Sequence, residues 1–373
     1  MTNQEQLARN LWLLRTSRGL SQQEVADHAG LSRNAYRSIE AGRAEPRARN
    51  LQAIAQALDV PLPELLAAPP SLEGVRFRSH KAISRKQQAR RDEVVVRVAR
   101  WLKDFNSLEE LLDEPREYQL SSLVGMNQDS SGSGSPVDMA RLTRERLGLS
   151  RKEPIRDICG LLESAGVKVW PATFEYDRFF GLSVAADDGG PAVVVNVRDD
   201  ITIERRIFTA AHELGHLLLH PHAYDVDEIQ EDDHQERQAD QFASHFLMPD
   251  ETFKAEWQDT RGLAFLDRVL HVKRLFRVSY ATVLFRLVEL GSVGSTKAWM
   301  VFRSHWKRRT GSSLRKKDEP MPLQEVDFLE DRLSRLVRCA LEREEISLSR
   351  AAEILGLNLK SMREVVASWD VAA

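Results

Sequence analysis

The sequence predicts a mostly α protein with a small β-sheet (α+β). It divides into a five-helix N-terminal bundle, a central α+β domain and a C-terminal helical module. Three observations carry that expectation: short amphipathic helical segments over residues 7–67, strand-like runs confined to 167–197, and an N-terminal helical pattern that recurs near the C-terminus. At 373 residues the chain exceeds one ordinary core, and 42% apolar residues suffice for several packed ones. Two cysteines, Cys159 and Cys339, stand far apart with no CxxC pair, which excludes a disulfide scaffold and a thiolate zinc finger. Apolar runs are short and the polar N-terminus carries scattered Arg, so no signal peptide or membrane span is expected and the chain is placed in the cytoplasm.

Residues 1–70 form the first expected domain. Ser21 and Ser32 read as N-caps, and Gly30 and Gly42 as C-terminal glycines. Residues 71–125 read as a basic helical linker, with Val94, Val98, Leu102 and Phe105 at helical spacing. Residues 126–136 are rich in Ser and Gly, which cannot build a core, and read as a flexible loop. A second domain is expected over 137–295: helices at 137–147 and 154–165, a Gly166 stop, strands VKVW, FFGLSVAAD and AVVVNV, then helices at 201–219, 234–247 and 263–290. Helices over 324–368 form a C-terminal module at 320–373.

The first hundred residues carry 17 Lys+Arg against 10 Asp+Glu, a net of +7, and the remainder 36 against 46, a net of −10. A nucleic-acid partner is therefore expected at the N-terminal third. There, LSQQEVADHAGLSRNAYRSIEAGRAEP has helix-turn-helix spacing: Val25 and Ala26 face inward, Gly30 permits the turn, Leu31 plugs the corner and Ile39 anchors the second helix. The exposed face of that helix offers Ser32, Arg33, Asn34 and Arg37 to base edges, while Gln22 and Arg43 are placed for phosphates. Residues 7–67 closely resemble the Xre/Cro family of helix-turn-helix regulators. The resemblance implies a double-stranded DNA operator read by a two-fold homodimer, with half-sites about one helical turn apart.

The segment ITIERRIFTAAHELGHLLLH contains HExxH. Four-residue spacing projects His212 and His216 from one helical face toward adjacent positions on Zn²⁺, with Glu213 beside them as general base. Two residues compete as third ligand. His222 stands six residues after His216, but Leu219 occupies the position where that ligand pattern requires Gly. Glu236 stands 20 residues after His216 on its own helix, with Asp240 one turn further to accept the free N–H of a ligating His. Glu236 is the favoured ligand, a glutamate-zincin arrangement. Mn²⁺ or Fe²⁺ suits the same donors. Tyr224, His222 and His234 are candidate oxyanion donors, and the strand AVVVNV is a candidate edge for an extended substrate.

Taken together, AHELGHLLLH and ERQADQFASHFLMP are similar to the ImmA/IrrE family of bacterial metallopeptidases, over roughly 137–290. The resemblance implies a zincin-like α+β fold and a zinc-dependent endopeptidase whose protein substrate is an Xre-type repressor. Its cleavage derepresses stress or mobile-element genes, and the activity is expected to be held latent. Gln238 departs from the Glu common in the family. Two other readings stay open: a regulator whose peptidase-like domain only senses a ligand or metal, and a toxin–antitoxin fusion. Finally, ISLSRAAEILGLNLKSMREVV repeats the N-terminal pattern at a constant offset of 326, with Ser347 on Ser21, Gly356 on Gly30 and Leu357 on Leu31. Its exposed positions Asn358, Leu359, Lys360 and Ser361 are less basic, and Glu342, Glu344 and Glu345 stand nearby, which favours protein contact over DNA.

Overall fold

The computed structural model describes residues 2–17, 20–58, 60–66, 72, 75–77, 85–126, 135–150, 152–175, 179–221, 233–292, 294–315 and 318–370. They fall into two compact units, residues 1–72 with 82–101 and residues 73–81 with 102–373.

The first unit holds α1 (Asn3–Ser17), α2 (Gln22–His28), α3 (Arg33–Glu40), α4 (Ala48–Ala57) and α5 (Leu62–Leu66), the expected five-helix bundle. Leu7, Leu11, Val25, Ala26, Tyr36, Ile39, Ile54 and Leu65 form its core. Ser21 caps α2 by accepting the Glu24 N–H, and the Glu24 carboxylate accepts the Ser21 N–H in return, so both exposed donors are satisfied reciprocally. Gly30 at φ +64 makes the turn, which only a residue without Cβ adopts at no cost. Ser32 then caps α3.

Strand β1 (Val75–Phe77) lies inside the stretch expected to be a helical linker. It is followed by α6 (Arg85–Leu112), where the expected apolar spacing holds: Val94, Val98, Leu102 and Phe105 are all buried. Of the expected Ser/Gly loop, residues 127–134 lie outside the described residues. Next come α7 (Pro136–Arg146), α8 (Ile158–Ser164), β2 (Lys168–Ala172), β3 (Gly181–Val184), β4 (Ala192–Asn196), α9 (Ile203–Leu219) and α10 (Asp233–Leu247). The sheet order is β1-β3-β4-β2; β2 and β4 are parallel, and β3 is antiparallel to both neighbours. This corrects the sequence reading of AVVVNV as a substrate edge. β4 is paired on both flanks, and its fully buried run, apolar up to Asn196, is that of an interior strand.

Two helices went unanticipated, α11 (Asp250–Asp259) and, later, α14 (Ser295–Thr310). Between them the single helix expected at 263–290 is two, α12 (Phe265–Phe276) and α13 (Tyr280–Glu289). The break falls at Arg277, left-handed at φ 56, and Ser279 restarts the helix by accepting the Thr282 N–H. The C-terminal module is α15 (Arg332–Glu342), α16 (Leu348–Ile354) and α17 (Leu359–Asp370). A buried ion pair from Arg332 to Glu109 (2.5 Å) and a partly exposed one from Arg350 to Asp104 (2.5 Å) hold it to the last turns of α6. No helix among the described residues is long and apolar enough to cross a membrane.

Candidate functional site

Helix α9 starts at Thr202, which caps the Arg205 N–H, and almost every residue along it is buried between the sheet, α7 and α10. His212, Glu213 and His216 are therefore withdrawn from solvent, at 0%, 2% and 1% exposure. Their spacing sets the two imidazole Nε2 atoms 2.9 Å apart. Helix α10 crosses α9 closely because Gly215, the central glycine of HELGH, has no side chain: a Cβ there would lie 2.9 Å from Phe242 Cδ1. That approach delivers Glu236, whose Oε1 lies 3.1 Å from His216 Nε2 and whose Oε2 lies 3.3 Å from His212 Nε2.

The outer partners decide which ring nitrogens carry protons. His212 Nδ1 lies 2.9 Å from Asp240 Oδ1, and an ionised carboxylate only accepts, so Nδ1 carries the hydrogen. The second ring is set by a longer chain. Gln238 Oε1 can only accept from His220 Nε2 (3.0 Å), which leaves His220 Nδ1 as acceptor for the His216 Nδ1–H (3.0 Å). Both Nε2 atoms then turn lone pairs toward each other and toward a carboxylate, with no proton between them. Three such donors repel unless a cation sits among them. Their separations of 2.9–3.3 Å match the edge of about 3.3 Å expected between tetrahedral ligands at zinc bond lengths. The three residues are a group able to hold a metal ion. Burial pushes the Glu236 carboxyl up, but the two imidazoles beside it outweigh that and hold it well below the usual carboxylate range.

Glu213 faces strand β3, where Ser183 Oγ donates to its Oε2 at 3.0 Å. Strand β3 can lie this close only because Gly181 has no side chain: a Cβ would sit 2.6 Å from Thr209 Cγ2 and 3.3 Å from Glu213 Oε1. Sequence reasoning missed Ser183, His220 and a bonding role for Gln238. His220 carried a readable signal, since it extends the four-residue spacing of His212 and His216 by one more turn. His222 and Tyr224 lie outside the described residues, and His234 is exposed on α10.

In the first unit, Ser32, Arg33, Asn34, Arg37 and Arg43 are all exposed on or just beyond α3, opposite the buried Tyr36 and Ile39. Gln22 is engaged inside the bundle, donating its side-chain N–H to Glu40, which also pairs with Arg15 at 2.6 Å.

A helix-turn-helix with an exposed basic second helix, joined to a buried His-His-Glu cluster beside a further carboxylate, defines a DNA-binding protein with a metallopeptidase-like domain. The comparisons with known families agree: residues 11–65 match the helix-turn-helix family, and residues 165–288 match the IrrE N-terminal-like domain. The chain thus joins an Xre-type helix-turn-helix domain to an ImmA/IrrE-type domain. No curated protein matches it.

Proposed function

We propose that this protein is a transcriptional regulator that binds an operator as a homodimer through α3, and whose central domain is a zinc-dependent endopeptidase. Its substrate is an Xre-type repressor, and cutting that repressor releases stress or mobile-element genes. The observation that supports the enzyme best is the convergence of His212, His216 and Glu236 beside Glu213. A structural cluster or pure sensor needs three ligands but has no use for a buried carboxylate aimed from the adjoining position.

His212, His216 and Glu236 would hold a divalent cation, which would supply Lewis acidity to a water and to a scissile carbonyl. Glu213 takes the proton of the attacking water and returns it to the leaving amine nitrogen. Ser183 keeps that carboxylate aimed, while Asp240 and the His220–Gln238 pair hold both imidazoles in the ligating tautomer. The burial of α9 excludes bulk water from the proton transfer.

The test compares wild type with Glu213→Gln, each measured for bound metal and for cleavage of co-expressed Xre-type repressors. Equal metal with cleavage reduced by about 10²–10⁴-fold is the expected result. Metal bound in both with no repressor cut by wild type would support sensing instead.

A further inference from the structure

The geometry points to the outer edge of β3 as a peptide-binding site, and to the chain's own β1 as its resident occupant, a tethered competitor of substrate. This rests on the peptidase reading above. An extended peptide that brings a bond to Glu213 is best held by adding as a strand beside the sheet element that touches Glu213. That element is β3, through Ser183 and Gly181. One flank of β3 is closed by β4, with Gly181 opposite Val195 and Val184 opposite Ala192. On the other flank β1 lies antiparallel: Val75 opposite Val184, Arg76 opposite Ser183, Phe77 opposite Leu182.

Two features make β1 a removable occupant rather than a fixed part of the sheet. Among the described residues it spans three positions paired with β3, and it belongs to the connection between the DNA-binding bundle and α6 rather than to the run of the chain that builds the rest of the sheet. Tethering raises its local concentration to the order of millimolar, which lets so short a strand outcompete a free protein. The latency expected of an intracellular protease then follows from the fold. The sequence Val-Arg-Phe also indicates the class of ligand the edge accepts, an extended segment alternating apolar and basic residues.

The experiment uses the full chain. In the triple variant Val75→Gly, Arg76→Pro, Phe77→Gly, amide exchange at Leu182–Val184 should accelerate. Adding the free peptide Glu-Gly-Val-Arg-Phe-Arg-Ser should restore protection there, and repressor cleavage without peptide should rise on the order of tenfold or more. A second variant keeps β1 in place: Val75→Cys with Val184→Cys should lose cleavage when oxidised and regain it on reduction. The exchange measurement stands even if no repressor is ever cut, so failure of the peptidase reading is separable from failure of this one. Unchanged exchange in the triple variant, or accelerated exchange that the peptide does not reverse, overturns the proposal. So does cutting of the wild-type chain within residues 75–77, which would make β1 a substrate rather than a competitor.

Discussion

The His-Glu cluster on α9 and α10 and the exposed face of α3 are built on opposite terms. In that cluster His212, Glu213 and His216 are buried and each is held by another side chain: His212 by Asp240, His216 by His220, Glu213 by Ser183. On α3 the candidate DNA contacts are exposed, and only the framework is fixed, by the Ser32 cap and the buried Tyr36 and Ile39. The difference teaches where the chemistry is decided. A buried cluster specifies its ligand through mutual geometry before that ligand arrives, whereas an exposed face is specified by the groove it meets.

The comparison breaks if removing one buried donor is tolerated. Glu236→Ala leaves two imidazoles without the carboxylate that completes the triangle. The metal content of purified protein, read by elemental analysis, should fall from stoichiometric to near zero while folding is retained. A fully loaded variant would mean that the ion, if bound, sits elsewhere. Smaller effects should come from the outer partners. Asp240→Ala and Gln238→Ala each free a ring to adopt the wrong tautomer and should weaken metal binding about 10–100-fold in competition with a chelator. Gln238→Glu should bind close to wild type, because a carboxylate accepts the same His220 N–H. If Gln238→Glu is as weak as Gln238→Ala, the residue serves packing rather than tautomer.

How much of this was legible in the sequence follows the same contrast. His212 and His216 could be found because both lie on one helix, where four-residue spacing converts directly into a shared face, and Glu236 because Asp240 stands one turn further on a second helix. Ser183 could not, since its partner Glu213 is thirty residues away and they meet only when a strand lands on a helix. Strand β1 was hidden for a similar reason: three residues in a basic stretch have no periodicity of their own, and their partner strand comes a hundred residues later. The break between α12 and α13 escaped notice because the left-handed residue is Arg277, which carries no stop signal, rather than a glycine. On the exposed face positions were legible but partners were not; Gln22, expected at a phosphate, donates to Glu40 inside the bundle.

The recognition face itself is sharpened by two substitutions. Arg33→Ala removes an exposed guanidinium at the start of α3 and should cost about 1–3 kcal/mol of discrimination at one base position. Arg43→Ala, beyond the helix, should weaken binding alike across sequences and reduce the salt slope by about 1. Both are read from operator titrations at several salt concentrations. If the two variants behave identically, α3 does not enter a groove in the expected orientation.

The smallest effect concerns the two helix-turn-helix hairpins themselves, which share a backbone almost bond for bond. Gly30 and Gly356 sit at φ +64 and +65, and the corner bonds Leu31 N to Ala26 O and Leu357 N to Ala352 O are both 2.8 Å. Ser21 and Ser347 cap α2 and α16 alike, yet their third helical residues differ. In the first hairpin it is Glu24, which completes a reciprocal pair; in the second it is Arg350, which instead reaches Asp104. Each cap is worth about 1 kcal/mol, and losing the Ser21 hydroxyl leaves the Glu24 N–H without its cap while the Glu24 carboxylate still accepts the backbone N–H of residue 21. Ser21→Ala should therefore accelerate amide exchange at Glu24 more than Ser347→Ala does at Arg350, where docking onto α6 holds the helix start independently of its cap. Equal acceleration would show that α16 relies on its cap as fully as α2, and that the Arg350–Asp104 pair contributes nothing to holding the second hairpin in place.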